Sequence, residues 1–115
     1  MVQIVTQDYT VEYVPEADTV FMSGTLRLPG IEAYQPILDI LRLAIASAPP
    51  LITIDLQKLE FLNSSGLSML LMFVVKVRDK GGISMVVKGS QEIPWQAKSL
   101  KNLRRLMPDM VLEMH

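Results

Sequence analysis

The first third of the chain alternates polar residues with β-branched and aromatic ones. Two such runs, residues 10–14 and 19–28, flank the tetrad PEAD, which opens with Pro15 and is typical of a turn. A Leu-Pro-Gly sequence at residues 28–30 then interrupts the second run. The pattern therefore predicts an antiparallel β-hairpin followed by a break.

Beyond residue 30, apolar residues recur at the spacing of three and four that is typical of helices. Three segments have this period, at about residues 34–45, 64–79 and 93–107. The first ends before two consecutive prolines, and the second ends at Gly81-Gly82, which can adopt the positive φ of a helix C-terminus. Three helices are therefore predicted, with well-marked ends.

Short β-branched runs separate these helices. LITIDL at residues 51–56 has the continuous apolar character of a strand buried on both faces, and ISMVVK at 83–88 and residues 110–114 are similar. The predicted order is β-β-α-β-α-β-α-β. It indicates a single α/β domain over residues 1–115, with a mixed, mostly parallel sheet, right-handed crossovers and three to four helices.

Composition limits the classes of function. The 115 residues are 50% hydrophobic and 20% charged, with a formal net charge of −1, so no overall field favours nucleic acid. The chain has no cysteine, and its one histidine is the terminal His115. Thiolate metal sites and thiol catalysis are excluded, and we expect no cofactor, no metal and no enzymatic activity.

The apolar runs bear on location. The N-terminal sequence MVQIVTQDYTVEYV lacks the basic region and apolar run of a secretory signal. The longest apolar stretch is interrupted by Lys76 and falls short of the ~20 residues that a membrane span needs. We therefore expect a soluble, cytoplasmic protein without a membrane-inserted segment.

The stretch FLNSSGLSML at residues 61–70 places two serines at the start of the second predicted helix. Asn63 or Ser64 can cap this helix. Ser65 falls in its first turn, where unpaired N–H groups and the positive end of the helix dipole favour an anion. The residues alone allow two interpretations, a structural cap or a phosphorylation switch.

The second predicted helix is apolar on two sides. One stripe is predicted to face the core, and it consists of Leu67, Leu70, Leu71 and Val74. Met69, Met72 and Phe73 are predicted to lie near the opposite side, with Lys76, and to form a partner-binding surface. Two alternatives stay open, because another part of the same chain or a second copy in a homodimer could cover this side.

The third predicted helix has a basic stripe. Lys98, Lys101 and Arg105 share one side, with Arg104 beside them. The stripe could meet an acidic partner, or it could be an ordinary solvated face. It is too narrow to predict nucleic-acid binding.

The run ITIDLQKLEFLNSSGLSMLL resembles the signature of the STAS domain, the family of anti-sigma factor antagonists. Asp55 matches the family's strand-terminal aspartate and is expected to support the switch loop. Residues 63–67 match the family's D-S-S-G-L element with Asn63 in place of the aspartate. The resemblance implies that Ser65 is the phosphorylated residue, with Ser64 as a flanking hydroxyl and Gly66 as part of the same motif. It also implies protein partners, namely a histidine-kinase-like serine kinase that acts as the anti-sigma factor, and a phosphatase.

Two positions depart from the family pattern, and both remove negative charge. Asn63 is one, and the other is Arg27, where the family commonly has a carboxylate near the switch. The chain could have lost kinase recognition, or it could accommodate phosphoserine better, since a guanidinium pairs well with phosphate. Two functions are therefore predicted as alternatives: a partner-switching regulator, or a constitutive STAS subunit of a larger assembly such as a lipid-transporting membrane ATPase.

Overall fold

A computed structural model describes residues 2–115, in which strands and helices alternate after an N-terminal antiparallel unit. The six strands are β1 (Val2–Val5), β2 (Tyr9–Val14), β3 (Thr19–Leu26), β4 (Leu51–Leu62), β5 (Ser84–Gly89) and β6 (Val111–Met114). The three α-helices are α1 (Gln35–Ala46), α2 (Ser64–Lys80) and α3 (Pro94–Leu106). Short 3₁₀ turns lie at Pro15–Ala17 and Ile31–Tyr34.

All six strands form one sheet whose spatial order follows the chain, β1-β2-β3-β4-β5-β6. The β1–β2 and β2–β3 pairs are antiparallel, and the β3–β4, β4–β5 and β5–β6 pairs are parallel. The predicted class, a mixed and mostly parallel α/β sheet with three helices, is confirmed. The predicted element order was wrong in one respect, because it lacked β1. This edge strand has only four residues, and three of them are exposed, so it has little hydrophobic pattern.

The three helices lie on the same face of the sheet. Each parallel crossover steps to the next strand in the same direction, and crossovers of one hand then place every helix on one side. Helix α2 lies in the middle and contacts both α1 and α3. The core lies between this helix layer and the sheet, and its largest fully buried side chains include Tyr34 and Phe73. The other side of the sheet is the helix-free face.

Strand β4 is twice as long as predicted. The predicted strand over residues 51–56 was too short, because β3 continues to pair with β4 as far as Leu26 and Leu62. The register shifts at two points, between Phe21 and Ser23 and between Gly24 and Thr25, and β4 accommodates one extra residue at each. The outer half of β4 thus extends beyond β5, whose pairing with β4 reaches only Asp55.

A helix that crosses a membrane needs about 20 predominantly apolar residues. Among residues 2–115, no helix combines the length and the apolar character needed to cross a membrane.

Candidate functional site

The α2 junction, residues 61–67, connects the end of β4 to the start of α2. Asn63 has extended backbone angles, and its Oδ1 accepts a hydrogen bond from the Gly66 N–H at 2.9 Å. Its own carbonyl accepts from the Leu67 N–H at 2.9 Å. Asn63 is therefore the N-cap, and of the two predicted capping residues it is this one that satisfies an otherwise unpaired N–H group of the helix.

A buried tyrosine holds the cap in place. The Tyr34 hydroxyl donates to Asn63 Oδ1 at 2.6 Å, and the Leu28 N–H donates more weakly to the same hydroxyl at 3.4 Å. Burial raises the pKa of the Tyr34 phenol. The hydrogen bond from Leu28 lowers this pKa, and the nearby Tyr9 raises it further. Tyr34 therefore stays protonated at neutral pH and remains a donor to Asn63.

The amide nitrogen of Asn63 explains why this position is not an aspartate. Asn63 Nδ2 donates to the Leu28 carbonyl at 2.9 Å, and the Asn63 backbone N–H donates to the Leu26 carbonyl at 3.1 Å. A carboxylate has no hydrogen to donate to Leu28 and would face its carbonyl oxygen instead. Asparagine thus caps α2 and ties the segment after β3 to the same point.

Gly66 is required by close packing. A β-carbon at this position would collide with the Leu62 side chain and would lie only 2.8 Å from the Tyr34 hydroxyl. The glycine therefore lets the first turn of α2 approach the tyrosine that holds Asn63.

The two serine hydroxyls are not used in this network. Ser64 is exposed and Ser65 is half-buried, and neither side chain has a hydrogen-bond partner in the part of the chain that the structure describes. Both lie in the first turn, where backbone N–H groups and the helix dipole favour negative charge. Since Asn63 already caps the helix, the serines are left available for other chemistry.

Arg27 lies beside the α2 junction. Its two neighbours, Leu26 and Leu28, both accept hydrogen bonds from Asn63, which fixes the backbone on either side of it. The exposed Arg27 guanidinium lies over the Phe61 ring, 4.6 Å from the centroid. Such a contact positions a cation at the end of β3 and leaves its N–H groups free for an anion.

Asp55 lies elsewhere. It was predicted to end its strand and support the switch loop, but β4 continues for seven residues beyond it. Asn63 lies eight positions after Asp55, on the order of 25 Å along an extended strand. The Asp55 carboxylate accepts from the Gln57 backbone N–H at 3.0 Å and from Gln57 Nε2 at 3.1 Å, so it organises the first register shift of β4. Asp55 lines a hollow on the helix-free face, together with Glu12 and Lys58.

The predicted partner-binding face of α2 needs correction. Met69 and Phe73 are both 0% exposed and belong to the core, together with Leu70 and Val74. They cannot contact a partner directly in this conformation. The alternative that another part of the chain covers them is correct, because α2 is the central helix and is flanked by α1 and α3 as well as by the sheet. A helix covered from three sides buries more than one stripe.

The exposed side of α2 is displaced from the predicted one. Met72 is 43% exposed, and Lys76 is half-buried beside it. Leu71, predicted to be core, is only half-buried. These residues line a groove of about 410 Å³ between α2 and α3, the α2–α3 groove, formed by Leu71, Met72, Val75, Lys76, Asp79 and Leu106.

One polar residue that the sequence did not indicate is Gln96, in the first turn of α3. It is 0% exposed, and its Nε2 donates to the carbonyls of Leu56 at 2.7 Å and Leu59 at 2.9 Å. Its Oε1 accepts from the Ser90 N–H at 2.7 Å, and Trp95 Nε1 also donates to Leu59 at 3.2 Å. Gln96 thereby satisfies the edge of β4 where β5 has ended. No local motif marks such a long-range role.

The α2 junction offers serine hydroxyls that can receive a phosphoryl group. No group of three or more histidine, cysteine, aspartate or glutamate side chains within residues 2–115 is arranged to hold a metal ion. The junction presents two hydroxyls and a positive helix end, which can bind an anion or carry a phosphate, while the Arg27 guanidinium is held on the ring of Phe61 at the end of β4.

Comparison with known proteins identifies similar folds. No protein-family model matches the chain, and no curated protein matches its sequence. A chain from the crystal structure of the diguanylate cyclase SiaD in complex with its activator SiaC, from Pseudomonas aeruginosa, matches with a TM-score of 0.73 and 15% identity over 100% of both chains. SiaC of Pseudomonas aeruginosa gives 0.70 and 15%, also over 100% of both chains.

A structure of apo-SiaC from the same organism matches with a TM-score of 0.71 and 14% identity, over 100% of this chain and 99% of that one. At such identities the likeness establishes the fold. It extends over the whole chain, including the edge strand β1, which the sequence pattern did not predict.

Proposed function

We propose that this protein is a non-catalytic regulator that binds a protein partner through the α2 junction, and that phosphorylation of Ser65 weakens the complex. The observation that carries the proposal is that Asn63 caps α2 and the two serine side chains do not. Asn63 caps α2, so the Ser65 hydroxyl has no structural hydrogen bond to give up. A phosphate on Ser65 would add a charge of about −1.5 to −2 at the edge of the binding surface.

Arg27 is proposed to act on the phosphorylated form. Its guanidinium is held over Phe61 next to the junction and can pair with phosphate. The partner proposed from the STAS resemblance is a histidine-kinase-like serine kinase that acts as an anti-sigma factor, with a phosphatase that restores the binding form. Met72 and Lys76, on the exposed side of the same helix, are proposed to extend the contact.

The regulated output can instead be a signalling enzyme, and the likeness to SiaC favours this second candidate. SiaC is the activator of the diguanylate cyclase SiaD, so a protein of this fold acts on an enzyme through direct binding. Both candidates share the same event, a protein contact made by a small α/β domain.

Intact mass and peptide mapping of the protein from its native cells, before and after phosphatase treatment, test the switch. We expect a phosphatase-sensitive mass increase on Ser65. Ser65→Ala should retain the partner, and Ser65→Asp should weaken binding on the order of tenfold, because the charge is placed at the contact. Ser64→Asp is the matched control and should bind more like the native protein.

Arg27→Asp should shorten the lifetime of the phosphate on Ser65 or reduce discrimination between phosphorylated and unphosphorylated forms. Unchanged phosphorylation and binding would remove Arg27 from the mechanism. Absence of phosphate on Ser65 under all growth conditions would support the constitutive subunit instead, with partners that bind Ser65→Ala and Ser65→Asp equally.

A further inference from the structure

Phe21 lies uncovered on the helix-free face. It is 42% exposed, although β3 lies inside the six-stranded sheet and not at its edge. The other two phenylalanines of the chain are both covered by a neighbour. Phe73 is in the core, and the ring of Phe61 holds the Arg27 guanidinium at 4.6 Å from its centroid. No cation of residues 2–115 lies over the ring of Phe21 in this way.

Two carboxylates flank this ring. Glu12 on β2 and Asp55 on β4 are directly opposite Phe21 on the two neighbouring strands. Directly paired residues share a face of a sheet, and adjacent strands lie about 4.8 Å apart. The acidic residues therefore stand one strand spacing away, on either side of the ring. Both are half-buried, and neither is in an ion pair within residues 2–115.

The ring and both carboxylates line the hollow of about 410 Å³ on the helix-free face. The hollow lies at the register shift after Phe21, where β4 has one extra residue. Lys58 is the one cation that lines it, so two carboxylates and one ammonium leave a formal charge of −1. Lys88 is opposite Asp55 on the far side, outside the hollow, and is not in an ion pair with it.

We propose that this hollow binds an arginine side chain of a partner protein, with the guanidinium stacked on Phe21 and hydrogen-bonded to Glu12 and Asp55. A guanidinium is planar, stacks on aromatic rings and has five N–H donors, so it can use the ring and both carboxylates together. A lysine ammonium is a compact point charge and lacks the planar group. The Asp55 oxygens accept two bonds from Gln57 and can accept more, because a carboxylate has about four acceptor sites.

The surroundings of the hollow favour a protein as the source of the arginine. Three further exposed apolar residues share this face by strand register, namely Val5, Leu51 and Val111. A partner surface can cover them together with the ring, whereas a small free cation would leave them exposed. A small ligand also needs a pocket that encloses most of its surface. The inference does not rest on the Ser65 switch, because α2 lies on the opposite side of the sheet.

Four probes test the site on the full-length protein. Three are the N-acetyl amides of arginine, lysine and citrulline, which is the uncharged analogue of arginine. Chemical-shift changes of the ¹⁵N-labelled backbone give each dissociation constant. We expect the arginine probe to bind about threefold more tightly than the lysine probe and on the order of tenfold more tightly than the citrulline probe. The advantage over citrulline should shrink as salt is added.

The fourth probe is a capped pentapeptide with arginine at its centre and valine on either side. It should bind more tightly than the arginine amide, because its valines can cover apolar residues next to the hollow. This comparison distinguishes an arginine presented by a protein from a free cation.

Matched variants locate the contact. Phe21→Leu should weaken the arginine probe about threefold, whereas Phe61→Leu, at the other exposed ring, should not. Glu12→Gln should weaken it about twofold, with the exposed Glu92→Gln as the control. Lys58→Gln should strengthen binding about twofold, because its ammonium repels the guanidinium in the same hollow. Loss of folding cannot produce such an increase.

Several outcomes would overturn the proposal. Two are equal affinity for the arginine and citrulline probes and full binding by Phe21→Leu. Tighter binding of the arginine amide than of the pentapeptide would assign the hollow to a small cation instead of a protein. Self-association of the native protein that Phe21→Leu abolishes would assign this face to a second copy. Ser65→Asp should bind the arginine probe as the native protein does, so failure here and failure of the Ser65 switch are distinguishable.

Discussion

Helices α2 and α3 both begin where an amide side chain bonds to backbone groups near the outer half of β4, yet the two junctions differ in what they leave free. At α2, Asn63 accepts from the N–H group of Gly66 in its own helix, and the neighbouring serine hydroxyls have no partner in the described chain. At α3, Gln96 is fully buried and bonds to Leu56, Leu59 and Ser90. The α2 junction therefore has serine hydroxyls that are free to react, whereas the amide of Gln96 at the α3 junction is fully bonded.

Each junction also contains a glycine that makes room for contact. Gly66 admits Tyr34 and Leu62, and a β-carbon at Gly89 would lie 2.8 Å from Gln96 Oε1. The difference between them is therefore one of accessibility and not of packing density. The Gln96 cluster is buried and fully hydrogen-bonded, so it stabilises the sheet. The Asn63 cluster is also hydrogen-bonded but leaves the serine hydroxyls without a partner in the described chain, so these can be modified without unfolding the domain.

The largest expected effect on the free energy of unfolding is at the start of α3, where Gln96 is buried. Gln96→Met leaves the Leu56 carbonyl and the Ser90 N–H without their partner, while Leu59 keeps Trp95. At about 1–3 kcal/mol for each of these two unsatisfied groups, the free energy of unfolding should fall by about 2–6 kcal/mol. Urea denaturation followed by circular dichroism measures it. Gln91→Met, the same change at an exposed position, is the control, and an equal loss in both variants would contradict the assigned role.

A smaller effect is expected when Asn63 at the α2 junction is replaced by the aspartate that the STAS signature has at this position. Asn63→Asp keeps the acceptor for Gly66 and Tyr34 but loses the donor to Leu28. The favourable interaction of a carboxylate with the helix dipole offsets part of this loss. The net decrease in unfolding free energy should be about 1 kcal/mol at neutral pH. Asn102→Asp, on the exposed side of α3, should show no decrease; a more stable Asn63→Asp protein would remove the explanation for asparagine.

Tyr34→Phe should cost a similar or slightly smaller amount, about 1 kcal/mol, because Asn63 Oδ1 retains its bond from Gly66. The raised pKa of Tyr34 adds a pH dependence. The folded state disfavours the phenolate, so this contribution is complete below the unfolded pKa of about 10 and is lost as pH rises toward the higher folded value.

Tyrosinate absorbance during alkaline titration measures that contribution. The native protein should contain a late-titrating fraction that Tyr34→Phe lacks and the control Tyr13→Phe retains. Identical titration curves for the native protein and Tyr34→Phe would show that burial does not control this phenol.

The smallest effect is expected at the exposed arginine. Arg27→Gln removes a cation from the Phe61 ring, a contact between two exposed side chains. The unfolding free energy should fall by about 0.5 kcal/mol. A double-mutant cycle with Phe61→Leu isolates the pair, and Arg42→Gln on α1 is the control. Coupling near zero would leave the position of Arg27 unexplained by stacking.

The sequence predicted those elements whose hydrophobic period is long and whose ends are marked. The hairpin of β2 and β3, the three helices and the parallel strands all have such signals, and so does the cap at Asn63. Strand β1 has four mostly exposed residues, so its pairing with β2 is set by the neighbouring strand and not by its own pattern.

The outer half of β4 and the faces of α2 could not be predicted for a related reason. Whether residues 57–62 form a strand depends on β3 on one side and on donors from Trp95 and Gln96 on the other. Helix α2 is apolar around much of its circumference, so its period does not say which side is covered. The answer lies in the positions of α1 and α3, which bury Met69 and Phe73 and leave Met72 exposed.

The agreement between strand order and chain order has a consequence for how the molecule folds. Each strand pairs only with the strands before and after it in the chain, through either a short turn or one helix. Each strand pair therefore closes a short loop at a modest cost in conformational entropy, and no pair requires a segment that is distant in the chain. We expect the sheet to grow from β1 toward β6 as these residues become available during synthesis, with Gln96 closing the edge of β4 after β5 has paired.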